Sequence, residues 1–193
     1  GTFPSVSINW LPKLIKEFRE LYPHIEIKLF EGSYEAIKTW ILDGVVDFGF
    51  LSSPIASSFD FMEIKKDKLL CVLSQHHPLS ERKIITLDHL KKESLIVPKT
   101  HIDTDVRKIL TENNLKSRIK YEMEEDQAII AMVQHNLGIS ILPELTLYRL
   151  PEGVVVKQLE VEYYRTIGIA ATSIDKMAPA SKLFVELVKH RIR

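Results

Sequence analysis

Apolar positions along the chain follow two alternating rhythms, one helical and one of period two. Val6, Trp10, Leu11, Leu14, Ile15, Phe18, Leu21 and Tyr22 fall at helical spacing. Pro23 stops that helix, because proline has no N–H to donate and its ring clashes with the preceding turn. Ile25, Ile27 and Leu29 then alternate with polar residues and predict a strand. Glu31-Gly32-Ser33 turns the chain, and Ser33 is placed to cap a helix carrying Ile37, Trp40 and Ile41 that ends near Gly44. Val46 to Leu51 is a short apolar strand. The opening third therefore reads β-α-β-α-β, the order of a parallel sheet with helical crossovers.

The same alternation continues. Phe59 to Ile64 and Leu69 to Ser74 predict two strands, followed by a turn at His76-His77-Pro78-Leu79. Thr86 caps a short helix through Leu90, and Leu95-Ile96-Val97 is a buried strand ending at Pro98. Asp103 or Thr104 opens a helix with Val106, Ile109 and Leu110 inward, and Ile119 to Met123 is a strand. Glu125 or Asp126 starts a helix with Ile129, Ile130, Val133 and Leu137 inward, ended by Gly138. Ile139 to Leu142 is another buried strand, stopped by Pro143.

Strands at Val154 to Val161 and Thr166 to Ala171 precede a final helix with Leu183, Phe184, Leu187 and Val188 on one face. A chain that builds one lobe, then a second, and returns to the first crosses twice. The crossings are expected near Lys65–Lys68 and Tyr164–Gly168. This gives an α/β architecture of two Rossmann-like lobes joined by two crossing strands. Residues 1–66 and 167–193 form lobe I and residues 67–166 form lobe II. Two short crossings make a natural hinge, with a cleft expected between the lobes.

Composition narrows the function. The 193 residues are 45% hydrophobic and 27% charged, an ordinary globular balance. Lys plus Arg equals Asp plus Glu at 26 each, so the segment lacks the positive excess that neutralises phosphates. If DNA is a partner, another part of the protein reads it. The single cysteine, Cys71, lies in the apolar run Leu69–Leu73 and reads as a buried small hydrophobe, which suits a reducing cytoplasm. No apolar run approaches a membrane span. Gly1-Thr2-Phe3-Pro4 does not read as a secretion signal but as a strand remnant leading at once into a helix.

The ordered motifs resemble the effector-binding domain of LysR-type transcription regulators. They begin with Gly1-Thr2-Phe3-Pro4-Ser5, then Trp10-Leu11-Pro12, Phe18 and Tyr22-Pro23. Glu31-Gly32-Ser33 to Leu42-Asp43-Gly44 and Val46-Asp47-Phe48-Gly49 follow, then Gln75-His76-His77-Pro78-Leu79. The most specific stretch is Glu125-Asp126, Val133 and Gly138-Ile139-Ser140-Ile141-Leu142-Pro143-Glu144. The resemblance covers nearly the whole chain. It implies a type-2 periplasmic-binding-protein-like fold used in the cytoplasm to sense a small-molecule effector. It also implies an N-terminal winged helix-turn-helix that reads DNA, effector domains paired as a homodimer, and tetramers of the full-length protein. No cofactor and no membrane partner is implied.

In such folds ligands bind at the carboxyl ends of strands, where helix N-termini converge and favour anions. Ser5 and Ser7, Ser33, and Ser52 with Ser53 follow the first three strands, while Thr100 and His101 belong to the second lobe. The family pattern places effector contacts at Ser5 and Ser7 and at Thr100. A structural role competes at each position: Ser5 and Ser33 as caps, Ser52 and Ser53 as turn residues, and Lys99 as an exposed loop lysine. Glu125 and Asp126 read as helix-start charges rather than ligands.

Catalysis finds no motif: there is no Gly-x-Ser-x-Gly, phosphate loop, His-Glu-x-x-His or Gly-x-Gly-x-x-Gly. His76-His77 lacks Cys or carboxylate partners at metal-ligand spacing, and the other histidines are scattered. The competing function on the same fold is a solute-binding protein of a transport system.

Overall fold

The computed structural model describes residues 1–53, 55–99 and 104–192. The chain divides into two compact units: residues 1–66 with the segment from Thr166 onward, and residues 67–165.

In unit 1 the predicted first helix is two helices, α1 (Pro4–Asn9) and α2 (Leu11–Leu21). Pro12 explains the break. It cannot donate to the turn before it, and it disfavours helical backbone at the residue it follows. Leu11, Leu14 and Phe18 of α2 are buried. α3 (Tyr34–Leu42) buries Tyr34, Ile37 and Ile41, and the Ser33 hydroxyl accepts from the Ala36 amide at 3.3 Å as expected of a cap. β1 (Gly49–Ser52) is fully buried and shorter than the predicted Val46–Leu51 strand. It runs antiparallel to β8 (Tyr163–Ala171), with Gly49 opposite Ala170 and Ser52 opposite Ile167. A Cβ on Gly49 would lie 2.3 Å from Ile37 Cγ2, so this glycine is what lets α3 pack onto the strand.

The strand predicted at Ile25–Leu29 does not form. Among the described residues, the backbone next to it is that of Gly1–Thr2, where Thr2 forms a single parallel bridge with Glu31. An extended segment becomes a strand only where a partner pairs its backbone. The last helix, α7 (Pro179–Arg191), buries Phe184, Val185, Leu187 and Val188, while Leu183, expected on the buried face, is 37% exposed.

The two strands predicted at 59–64 and 69–74 are one strand, β2 (Asp60–Ser74). The polar residues Lys65-Lys66-Asp67-Lys68 do not interrupt it, because the ladder depends on backbone pairing and not on hydrophobicity. In unit 2, residues of β2 run antiparallel to β6 (Ser140–Pro143) and to β7 (Val154–Leu159), and the short β3 (Ile84–Ile85) lies parallel to β7. β4 (Leu95–Pro98) pairs parallel with β5 (Ile119–Met123) and bridges Ile139.

Three helices cover these strands: α4 (Leu87–Leu90), α5 (Thr104–Glu112) and α6 (Asp126–Gln134). Thr86 closes a capping box with His89. Val106, Ile109 and Leu110 of α5 join Leu69, Cys71, Leu73 and Ile141 in one core cluster; Ile129, Ile130 and Val133 of α6 join Val72, Ile96 and Leu142 in another.

Two expectations at the end of α6 change. Asn136, at φ 56°, turns the chain after the helix, and Leu137 is 45% exposed. Gly138 serves a different purpose: a Cβ there would lie 2.5 Å from the Ser94 carbonyl oxygen, so its lack of a side chain lets β6 approach β4.

Candidate functional site

Three extended segments of unit 1 lie side by side and point the same way. Gly1 donates to the Phe48 carbonyl at 2.8 Å and accepts from the Phe50 amide at 2.9 Å. Thr2 donates to Phe30 at 2.8 Å and accepts from Gly32 at 3.0 Å. Each residue bonds the positions before and after its opposite number, which is the parallel pattern. The segments ending at Thr2, Gly32 and Ser52 therefore deliver their following loops to one edge of the sheet, and each loop carries hydroxyls.

The structure places the predicted residues as follows. Ser5 is buried as the second residue of α1; it is not the cap, a position held by Phe3, and its carbonyl accepts from Asn9 Nδ2 at 2.7 Å. Ser7 is half-buried, with its Oγ 3.2 Å from Thr2 Oγ1. Ser33 is half-buried and caps α3. Ser52 is fully buried at the end of β1, and its carbonyl accepts from Ile55 and Ala56. Ser53 is exposed, and its amide donates to the Thr166 carbonyl at 2.9 Å. Thr100 and His101 lie outside the described residues. Thr2, fully buried and bonded to Ser7, was missed by sequence reasoning. Its position in the same Ser/Thr-rich opening was the available signal.

Other candidates have structural partners. Lys99 Nζ pairs with Glu124 at 2.7 Å. His77 is buried in its turn, its Nδ1 accepting from the Leu79 amide at 3.2 Å and its Nε2 3.3 Å from Glu93. Cys71 is fully buried, and desolvation first, with the Glu93 charge second, pushes its thiol up to about 12. A fully buried thiol held in its protonated form is a poor nucleophile at neutral pH. Sequence reasoning also missed the ion pair Asp67–Arg165. Each partner is 5% exposed, the contact is 2.7 Å, and Asp67 Oδ1 also accepts from the Leu145 amide at 3.0 Å. No sequence signal joins two residues 98 positions apart.

The chain belongs to the LysR substrate binding domain family, whose match runs over residues 1–193. The helix-turn-helix-type transcriptional regulator YvbU of Bacillus subtilis strain 168 is 32% identical over 191 residues, covering 98% of this chain and 65% of that protein. The chain thus spans about 65% of the length of that relative. Two solved structures share the fold. The effector binding domain of QuiR in complex with shikimate superposes at TM-score 0.82 and 23% identity, covering 100% of this chain and 94% of that one. The Synechocystis PCC6803 CcmR regulatory domain in complex with 2-PG superposes at 0.88 and 18% identity, covering 100% and 95%. The architecture is therefore the mixed α/β fold of LysR effector-binding domains, and the relatives are transcriptional regulators, not enzymes. Among the described residues no helix is long and apolar enough to cross a membrane.

Proposed function

We propose that the hydroxyl-bearing loops of unit 1 hold a small anionic metabolite, most simply a carboxylate, and that its binding controls transcription by the full-length regulator. The observation that carries this reading is the parallel delivery of Thr2, Ser5 and Ser7, of Ser33, and of Ser52 and Ser53 to one sheet edge. Hydroxyls and backbone amides at such an edge supply hydrogen-bond donors to an anion. The shikimate held by QuiR, itself a carboxylate, supports the ligand class. Thr100 and His101 complete the proposed contact set. DNA is read by a winged helix-turn-helix elsewhere in the protein. The domain works in the cytoplasm as a homodimer, within a tetramer of the full-length chain. The ligand acts by binding one arrangement of the regulator more tightly than another.

The test is a thermal-shift screen of the domain against a panel of small carboxylates. A ligand that binds only the folded state raises the melting midpoint in a saturable way. Ser7→Ala is expected to weaken such a hit about tenfold, the loss of one hydrogen bond to a charged group. Hits that bind with unchanged affinity to Ser7→Ala and Thr100→Ala variants would overturn the site.

A further inference from the structure

Two hydroxyls of unit 1, those of Thr2 and Ser7, face each other, and the atoms around them decide where each hydrogen goes. Thr2 is fully buried. Its backbone is held on both sides, the amide donating to Phe30 and the carbonyl accepting from Gly32. Its β-branched side chain is stiff at χ1, so the hydroxyl is fixed in place and sealed from solvent. Two acceptors lie within reach of Thr2 Oγ1, the Ser7 Oγ at 3.2 Å and the Phe3 carbonyl at 3.4 Å. The Phe3 carbonyl already accepts from the amides of Val6 and Ser7 at 3.1 and 3.0 Å, which uses both of its lone pairs. A buried hydroxyl hydrogen without an acceptor is costly, and Ser7 Oγ is the nearer and the emptier of the two. Ser7 is half-buried, and among the described residues Thr2 is the one hydrogen-bond partner of its Oγ.

We propose that Thr2 is a positioning residue: it donates its hydroxyl hydrogen to Ser7 Oγ and so commits the Ser7 hydrogen to an acceptor outside the pair. This assignment rests on the anion site of unit 1 and specifies the ligand group at one point of it. The group that meets Ser7 is an oxygen able to accept, as a carboxylate oxygen does. Thr2 never touches the ligand and acts through Ser7 alone. Its donation polarises the serine hydroxyl, and bonds in such a chain strengthen one another, so the outward bond gains from a residue behind it. Without the Thr2 hydroxyl, nothing among the described residues fixes which way the Ser7 hydrogen points. The pair also separates the serines of this segment: Ser7 is the aimed donor, while Ser5 is buried inside α1.

Neutron diffraction from deuterium-exchanged crystals reads the pair with no ligand present. The Thr2 deuteron is expected on the line to Ser7 Oγ. A deuteron on the line to the Phe3 carbonyl, with Ser7 donating to Thr2, would overturn the proposal. The binding arm is a titration with acetate, a minimal carboxylate, followed at the Ser7 amide by NMR. Thr2→Val keeps the side-chain shape, loses the hydroxyl and is expected to weaken acetate about fivefold, the loss of one supporting hydrogen bond. Thr2→Ser restores the affinity, and in a Ser7→Ala background Thr2→Val has no further effect. An equal loss from Thr2→Val with and without the Ser7 hydroxyl would also overturn the proposal, because Thr2 would then act through packing. Failure of the anion site reads differently: acetate leaves the Ser7 amide of the unaltered chain unshifted, and the deuteron position alone decides for or against the pairing.

Discussion

The two units build the same local motif and complete it to different degrees. In unit 2 a central strand, β4, pairs along its length with β5 on one edge and meets Ile139 through a single parallel bridge on the other. The strands that the apolar pattern predicts at 95–97, 119–123, 139–142 and 154–161 form there within a residue or two, and the one predicted at 69–74 forms as the end of the longer β2. In unit 1, among the described residues, Gly1 and Thr2 bond backbone on both sides, while the alternating segment Ile25–Leu29 forms no strand. The sequence patterns are alike in kind, so the difference lies in partners. Alternation of apolar and polar residues proposes a strand; a neighbouring backbone with free donors and acceptors makes one.

Charge burial follows the same contrast. Unit 2 buries the Asp67 carboxylate and the Arg165 guanidinium against each other, with the Leu145 amide on the remaining oxygen. The largest effect is expected from leaving half of this pair behind. Arg165→Leu strands a buried carboxylate and should cost about 3–5 kcal/mol by chemical denaturation. The double variant Asp67→Leu with Arg165→Leu should recover most of that loss, because a matched apolar pair carries no uncompensated charge. Equal costs for the single and double variants would mean that packing, and not charge pairing, holds this part of unit 2.

Unit 1 partly buries an ionisable group, the Gly1 amino group, with no ion pair to it among the described residues. Among the described residues the Gly1 ammonium donates to the Phe48 carbonyl alone, and burial, opposed in part by Asp47, pushes its pKa down from 8.0 to about 5. Glu26 and Lys28 line a cavity together with Gly1. The folded pKa lies below the unfolded one, so the unfolded chain binds more protons between pH 5 and 8. Stability therefore rises with pH across that window, with the penalty fully present below pH 5 and gone above pH 8. At about 1.4 kcal/mol per unit the span is up to about 4 kcal/mol. Denaturation midpoints at pH 5, 6.5 and 8, compared between the free and the N-acetylated chain, isolate this contribution from the histidines. An acetylated chain with the same slope would place the pH dependence elsewhere.

Much of the fold was legible because it rests on local rules. Ser33 and Thr86 cap where predicted, Cys71 is buried in its strand, and the helices of unit 2 bury the predicted residues apart from Leu137. What escaped depends on pairings between distant positions. The unbroken β2 ignores four polar residues, Gly138 is required by Ser94 and not by its helix, and Asp67 meets Arg165 across 98 positions. At the candidate site the hydroxyls were visible as residue types, but their division of labour was not. Ser5 lies inside α1 while Ser33 is committed to capping α3.

That division gives the smallest and most local test of the comparison. α3 and α6 each follow the second segment of their unit's parallel trio, yet they start differently. Ser33 accepts from the Ala36 amide, whereas Glu125 at the start of α6 makes no side-chain cap bond. Ser33→Ala should cost about 1 kcal/mol, the usual worth of a serine cap. Glu125→Ala should cost no more than about 0.5 kcal/mol, the loss of an exposed charge near a helix start. Measured by urea denaturation of the two variants, the order should hold: Ser33 above Glu125. The reverse order would mean that the Glu125 charge matters more to α6 than the Ser33 cap does to α3, and it would free the Ser33 hydroxyl for ligand binding at little structural cost.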